Sequence, residues 1–490
     1  MAKRVPLVRA SVKRSTARLR GRAAAVVDVE RASEAARKGG AVAVFKAYDI
    51  RGTVPDQLDA GLSYAIGRAT ARFVGARRLV VGRDARTHSP ELCAALIRGI
   101  LDEGVSVDDI GLVATPMLYY AVAALGAGGG IMVTASHNPG RYNGFKICRE
   151  RAIPIGEASG LREIEALVPR VRDAAPARAR GSVATHDVCE GYGRHARSVG
   201  TGCPEAHVAI DCGNGMAGVA LAPVLAALPL RVERLYFEPD GTFPNHEADP
   251  LKLENLEEVS AAVRRVHADF GVAFDGDGDR AVFVDEAGRP IASDLMTAVM
   301  ARHQLAHHPG GRVLYDLRSS RAVAEEIERA GGVADMCRVG HSFVKAQMRE
   351  SGAIFAGELS GHTYFRFADD LVADDGIAAF VALLDVLAAE ARPLSEIIAP
   401  LRRYHASGEL NRRVHDPRRV IASIEQEHAG APFVSHLDGL LVRYDDWWFN
   451  LRPSNTEPVL RLNLEADREA KMTAERDRLL ARIEMLGKAD

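Results

Sequence analysis

The sequence predicts an α/β protein of three successive mixed α/β units, followed by a smaller α+β unit. Three observations carry this. From Val42 onward, short apolar runs of β character alternate with apolar stripes at helical spacing. An Ala- and Arg-rich stretch near residues 170 to 186 interrupts that alternation. From about residue 405 the pattern changes to β runs that include Trp447-Trp448-Phe449, closed by a charged amphipathic helix. A chain of 490 residues is long enough for about three or four domains, each with its own core.

Composition leaves the partner open. Hydrophobic residues make up 47% and charged residues 26%, and the net charge is −2, so nothing general points to nucleic acid or membrane binding. No apolar stretch approaches the roughly 20 residues that span a bilayer. The six cysteines (93, 148, 189, 203, 212, 337) are scattered without a C-x-x-C pair, as expected of reduced thiols in a cytoplasm. Residues 1–40 stand apart: eight Lys/Arg residues from Lys3 to Arg22 precede the first acid, Asp28. This segment lacks the apolar core of a secretory signal and reads as a disordered or loosely helical basic extension.

The first unit, 41–184, begins with Phe45 to Arg51 and a helix near Leu62 to Phe73. The strand Leu79-Val80-Val81 ends in Gly82-Arg83-Asp84. Leu92, Leu96, Ile97, Ile100 and Leu101 form one helical stripe, stopped by Gly104. A further helix around Met117 to Ala124 leads to the strand Ile131 to Thr134. That strand runs into Ala135-Ser136-His137-Asn138-Pro139, where Pro139-Gly140 ends regular structure and leaves Ser136 at a strand end, exposed to a cleft. A helix end and linker are expected near 170–186.

The second unit, 185–289, contains the buried strand His207 to Asp211 and the turn Gly213-Asn214-Gly215. A helix is marked by Leu256, Val259, Val263 and Val266, with Asn255 as its expected cap. Strand Phe270 to Phe274 feeds Asp275-Gly276-Asp277-Gly278-Asp279-Arg280, and Ala281 to Val284 resumes β character. The third unit, 290–403, has strand Val313 to Asp316, helix 321–330, strand Ala353 to Ala356 and a helix from Asp374-Asp375 to about Ala391. The fourth, 404–490, holds strand Trp447 to Leu451 before Arg452-Pro453-Ser454-Asn455-Thr456. No repeat is evident in the sequence, although three α/β units of similar length leave room for a structural one.

Four loops carry chemistry. Three aspartates separated by glycines repel one another unless a cation neutralises them, and oxygen ligands suit Mg²⁺, with Ca²⁺ and Mn²⁺ as competitors. An EF-hand would place Glu286 twelfth, but Arg280 stands at its glycine position and β runs flank the loop. A haloacid-dehalogenase-type Asp nucleophile is the other alternative, with Asp279 where that pattern wants Thr or Val. Arg452 to Thr456 has the composition of a phosphate cradle. Glu358, Ser360 and His362, on a glycine-flanked loop, suit vicinal sugar hydroxyls. Gly213 to Gly218 fits G-x-G-x-x-G, so a dinucleotide site competes there with a plain strand-to-helix turn. No Walker loop or G-x-S-x-G is present, which argues against P-loop and common Ser-hydrolase chemistry.

In this order, Thr134 to Pro139, Asp275 to Arg280, Gly357 to His362 and Arg452 to Pro458, the sequence resembles the α-D-phosphohexomutase superfamily, and most of all its phosphomannomutase/phosphoglucomutase branch. The resemblance spans about residues 41 to 487, and Tyr48 to Gly52, Gly82 to Asp84, Phe243 to His246 and Gly340 to Ser342 also support it. It implies four domains around a central active-site cleft. It further implies reversible transfer of phosphate between O1 and O6 of a hexose through a phosphoserine and a hexose 1,6-bisphosphate that is both intermediate and activator.

Position by position, Ser136 matches the phosphoryl-carrying serine, and Asp275, Asp277 and Asp279 match the Mg²⁺ ligands, with a phosphoserine oxygen of Ser136 completing the set. Arg51, Lys146 and Arg280 match cations around the reacting phosphate, and Lys146 and His341 match acid/base residues. Tyr48, Arg318, Glu358, Ser360 and His362 match substrate contacts, with Arg318 where lysine is common in the family. Arg452, Ser454, Asn455 and Thr456 match the site of the non-reacting phosphate. Asn455, where the glucosamine branch usually has glycine, favours mannose and glucose. The expected partners are hexose phosphates, with no nucleic acid or membrane, in a cytoplasmic monomer or weak homodimer. Phosphoglucosamine mutase, hexose-bisphosphate synthase and a non-catalytic sugar-phosphate sensor are the alternatives.

Overall fold

The computed structural model describes residues 44–453 and 459–488. The basic extension at 1–40 and the expected phosphate contacts Ser454, Asn455 and Thr456 lie outside the described residues.

The first sheet is built from β1 (Ile50–Thr53), β2 (Arg78–Arg83), β3 (Ser106–Leu112), β4 (Gly129–Val133), β5 (Tyr142–Arg149) and β6 (Val183–Thr185), in the order β1-β5-β4-β2-β3-β6. The second has β7 (Ala206–Asp211), β8 (Leu230–Leu235), β9 (Phe270–Phe274) and β10 (Ala281–Val284), ordered β10-β9-β7-β8. The third has β11 (Arg312–Asp316), β12 (Val333–Cys337), β13 (Phe355–Gly357), β14 (Thr363–Arg366) and β15 (Val372–Asp374), ordered β12-β11-β13-β14-β15. One topology recurs in all three. A first strand pairs in parallel with the second on one side and the third on the other, and the third turns back into an antiparallel fourth. The turns after the third strands, β4, β9 and β13, are the segments containing Ser136, the three aspartates and Glu358 to His362. This is the structural repeat for which the similar unit lengths left room. It puts three chemistry-bearing loops at equivalent carboxyl ends of parallel strands, where α/β sheets bind ligands.

The fourth sheet contains β16 (His405–Ala406), β17 (Leu410–Arg413), β18 (Phe433–Ser435), β19 (Leu440–Arg443), β20 (Trp447–Pro453) and β21 (Val459–Ala466), all antiparallel. Helices Pro417–Glu427 and Glu469–Leu486 contribute to its separate core, including Val420, Ile424, Leu479 and Ile483.

The first three units share one continuous apolar core running from Val80 through Val208, Phe270 and Val313 to Leu401. Helix Gly376–Glu390 is the post at its centre and is buried from Gly376 through Val386. Asp375 caps it, accepting from the amides of Ile377 and Ala378 at 2.9 Å. Fully burying a side chain such as Phe380 stabilises by about 1.5–3 kcal/mol. A small cluster of Leu317, Leu441 and Trp448 joins the third unit to the fourth.

Some local expectations change. The linker near 170–186 contains β6, which pairs with β3 through Thr185. Its three exposed residues give no alternation to read. Asn255 does not cap the helix Glu257–Val266, because a 3₁₀ turn, Leu253–Leu256, intervenes. Its amide instead donates to the carbonyls of Glu247 and Asp249 at 2.9 Å. The strand expected over Ala353 to Ala356 is shifted to Phe355–Gly357. Helices Cys189–Arg197, Ser293–His307 and His341–Ser351 had no counterpart in the sequence reading.

Candidate active site

Ser136 is held at the tip of the β4–β5 connection with φ 50°, an uncommon conformation for a residue other than glycine. Its amide donates to Thr134 Oγ1 at 2.9 Å. Arg86, itself only 1% exposed, fixes the rest of the loop. The guanidinium donates to the carbonyls of Ser136 (2.7 Å), Asn138 (2.6 Å), Pro139 (2.9 Å) and Tyr142 (3.1 Å), while Nε meets Asp84 Oδ2 at 3.1 Å. One buried cation thus ties four carbonyls into a single conformation. Ser136 lines the cleft, but at 1% exposure it is not the open hydroxyl that the sequence suggested.

Ser136 Oγ donates to Asp275 Oδ2 at 2.8 Å, which joins the first loop to the second. Gly276 makes this approach possible, since a Cβ there would lie 2.5 Å from the Ser136 carbonyl oxygen. Behind the aspartate loop, Gly215 stands so close to Gly276 that a Cβ would lie 2.8 Å from its Cα. Met216 donates its amide to the Gly276 carbonyl at 3.0 Å. Of the G-x-G-x-x-G glycines, Gly215 packs the turn against the aspartate loop and Gly218 packs the helix start against the Phe237 backbone, the plain-turn reading of that motif. The EF-hand alternative also falls, because strands β9 and β10 flank the loop and Glu286 accepts from the amide of Ser395 at 3.1 Å.

Asp275, Asp277 and Asp279 are buried, with one oxygen of each inside a group spanning 4.8 Å. Thr115 Oγ1 donates to Asp277 Oδ2 at 2.6 Å. Lys146, from β5, places its ammonium 2.6 Å from that same oxygen and in contact with Asp279 Oδ2. Asp277 Oδ1 and Asp279 Oδ1 are buried without a hydrogen-bond donor. Three carboxylates with two unsatisfied oxygens, against Lys146 and the Arg280 guanidinium 3.7 Å from Asp275, fit an oxygen-seeking metal ion.

Burial and the neighbouring acids Asp279 and Asp277 raise the Asp275 carboxyl well above its ordinary value. Burial also acts to raise Asp277, but the Lys146 ammonium beside it overrides this and holds the carboxyl below the usual range. For Lys146 itself, burial disfavours the charge, yet Asp277 and Asp279 prevail and raise it, so it stays an ammonium.

Arg280 links the second loop to the third. Its amide donates to Asp275 Oδ1 at 3.1 Å, and its Nε donates to His362 Nε2 at 3.0 Å. Because Nε2 accepts, the proton of His362 belongs on Nδ1, which faces Asp374 Oδ2 at 3.2 Å. Asp374 also pairs with the fully buried Lys345 at 2.6 Å. Arg51, on β1, bonds Asn138 and Asp49.

Ser136, Lys146, Arg51, Arg280, Tyr48, His341 and His362 all line one cleft of roughly 560 Å³. Tyr48 and His341 meet edge-on, with ring centroids 6.0 Å apart. Burial and the nearby Lys345 charge lower the His341 imidazole well below its ordinary value, leaving it neutral. Glu358 is buried, accepting from the amide of Gly340 at 2.7 Å and from Tyr364. Ser360 is half-buried on the same loop.

Arg318 and Arg452 converge at a second point. Glu409 accepts from Arg318 at 3.4 Å, and from Arg452 and Arg461 at 3.1 Å each. Arg461 also lines the Ser136 cleft, so this group of three arginines adjoins it. Arg86, Thr115, Asp374, Glu409 and Arg461 are the contributors that sequence reasoning missed. For Arg86 a signal existed in Asp84-Ala85-Arg86, directly after the noted Gly82-Arg83-Asp84.

Comparison with known proteins agrees with this geometry. Residues 42–174, 197–288 and 292–404 match the phosphoglucomutase/phosphomannomutase alpha/beta/alpha domains I, II and III, and residues 409–482 match the C-terminal domain of that family. A phosphomannomutase/phosphoglucomutase of Pseudomonas aeruginosa is 38% identical over 435 residues, 88% of this chain and 93% of that protein. A phosphoglucomutase of Neisseria gonorrhoeae is 38% identical over 449 residues, 90% of this chain and 96% of that protein. The crystal structure of a phosphoglucomutase/phosphomannomutase family protein from Burkholderia thailandensis superposes with a TM-score of 0.83 at 35% identity, covering 91% of this chain and 97% of that one.

Proposed function

Because the chain belongs to the phosphoglucomutase/phosphomannomutase family, we propose that it moves phosphate reversibly between O1 and O6 of mannose and glucose phosphates, with Ser136 as the covalent carrier. It is a phosphohexomutase, an isomerase that shifts phosphate within one sugar. The observation that carries the Ser136 assignment is its 2.8 Å contact with Asp275, at the meeting point of three loops that set three buried carboxylates beside a cleft lined by several cations. Asp275, Asp277, Asp279 and a phosphoryl oxygen on Ser136 would hold Mg²⁺, which supplies positive charge to the transferring phosphoryl group.

The residues divide the remaining work. A sugar hydroxyl attacks the phosphorus carried by Ser136, so a new P–O bond forms and the bond to Oγ breaks. His341, neutral before the step, accepts the hydroxyl proton. Lys146, held as an ammonium, gives a proton to Oγ as its bond to phosphorus breaks and takes one back when Ser136 is rephosphorylated, and Arg280 and Arg51 balance the phosphoryl oxygens. The resulting hexose 1,6-bisphosphate turns around, and Ser136 takes back the other phosphate with the same groups working in reverse. Arg318 and Arg452, with Ser454, Asn455 and Thr456, hold the phosphate that is not reacting. Glu358, Ser360, His362 and Tyr48 read the sugar between, and Glu358 also steadies His341 through the Gly340 amide.

The six cysteines are free thiols, which suits a cytoplasmic enzyme. No helix among the described residues is long and apolar enough to cross a membrane. Purified protein with Mg²⁺ and a trace of glucose 1,6-bisphosphate should convert mannose 1-phosphate and glucose 1-phosphate to the 6-phosphates. Inertness on these and on glucosamine phosphates alike would falsify the reading.

A further inference from the structure

A second group of ligating side chains lies away from the Ser136 cleft and takes no part in the mechanism above. His303 and His307 are four residues apart on helix Ser293–His307, which puts their rings on one face. Asp385 faces them from helix Gly376–Glu390, and the three offer ligand atoms that all lie within 4.8 Å of one another. His303 Nε2 is 2.7 Å from Asp385 Oδ2, and the two imidazoles approach with centroids 5.0 Å apart.

The carboxylate is set in a cradle. Its other oxygen, Oδ1, accepts from the amides of Gly202 at 2.6 Å and Thr201 at 3.1 Å. A Cβ at Gly200 would lie 2.9 Å from Asp385 Cβ, and one at Gly202 would lie 2.9 Å from Oδ1. Only glycine lets the backbone come this close, and the outcome is an oriented carboxylate with Oδ2 turned to the histidines. Asp385 is buried, His303 half-buried and His307 exposed, so the group has a dry side and an open side. His307 and Asp385 also line a cavity of about 270 Å³ that has no lining residue in common with the Ser136 cleft.

We propose that His303, His307 and Asp385 form a second cation site, selective for a zinc-class transition ion over Mg²⁺. Two imidazoles one helical turn apart with one carboxylate is a donor set for borderline metals, whereas Mg²⁺ seeks oxygen alone. The ion joins two helices of the third unit to the 198–202 segment that leads into the second sheet, and so clamps the two units together. Asp385 stands ten residues beyond Asp375, about 15 Å along the helix, so the clamp leaves the catalytic loops untouched. The site does not depend on the mutase reading.

The test is a Co²⁺ titration of chelator-treated, full-length protein in excess Mg²⁺, followed by ligand-field absorption and by thermal melting. Wild type should saturate at one equivalent and melt at a higher temperature when loaded. His307→Gln, an exposed change, should weaken binding by about tenfold or more, and His303→Gln/His307→Gln should remove both the band and the thermal shift. Mg²⁺-dependent turnover of His307→Gln should equal that of wild type. The proposal is overturned if no saturable band forms, or if His307→Gln titrates as wild type does.

Discussion

Lys146 Nζ lies 2.6 Å from Asp277 Oδ2, so an ammonium from one α/β unit stands among the buried carboxylates of the next. Replacing Lys146 with Met leaves Asp277 and Asp279 without their ammonium partner. In chelator the variant should lose about 3 kcal/mol of stability, as expected when one partner leaves a buried ion pair. Mg²⁺ should then restore the melting temperature more in the variant than in wild type, because no ammonium competes for the same oxygens. Thermal melts of both proteins with and without Mg²⁺ check this, and equal Mg²⁺ responses would count against it.

Arg86 touches no substrate in this account, yet it should matter to rate. Arg86→Lys cannot reach four carbonyls with one ammonium, so the Ser136 loop should drift from its conformation. Turnover should fall on the order of 100-fold with KM little changed, the pattern of a misplaced reacting group. Steady-state kinetics on glucose 1-phosphate reads out both quantities.

Glu409 pairs with three guanidiniums where a phosphate is proposed to sit nearby. Glu409→Ala should destabilise the protein by about 1–2 kcal/mol at low salt, through repulsion among Arg318, Arg452 and Arg461. Inorganic sulfate should recover the loss by taking the place of the carboxylate. Melting curves across a sulfate series test this, and a variant indifferent to sulfate would speak against an anion site there.

Burial pushes the Asp375 carboxyl up to about 7. Unfolded, it titrates near the usual value of about 4. Between those values the native state keeps a proton that the unfolded chain has released, so stability is full at the acid end and declines as pH rises toward 7. Asp375→Asn keeps a capping oxygen but does not titrate. Its stability relative to wild type should therefore improve from pH 4 to pH 8, by a margin on the order of 4 kcal/mol. Paired denaturation curves across that range would show it, and parallel pH profiles would refute it.

Much of this was legible in the chain, for physical reasons. Asp275, Asp277 and Asp279 announce themselves because three carboxylates between glycines have few uses other than holding a cation. The helix that ends at Gly104 and the one capped at Asp375 follow local rules of spacing and termination. What escaped depends on contacts that exist only after folding. Arg86 and Thr115 act on groups 50 or more residues away, and Glu409 has meaning only beside Arg318, Arg452 and Arg461. The recurring β-topology was invisible for the same reason: strand order is a property of pairing, and the residues at equivalent places differ.

Ser136 is the proposed carrier of the phosphoryl group. The most direct measurement is to incubate the protein with Mg²⁺ and phosphate-labelled glucose 1,6-bisphosphate, map the label by peptide mass spectrometry, and then add unlabelled mannose 1-phosphate. Label is expected on Ser136 alone, with transfer to the sugar on addition of substrate, and neither labelling nor turnover in Ser136→Ala. Label on another residue, or undiminished mutase turnover in Ser136→Ala, would contradict it.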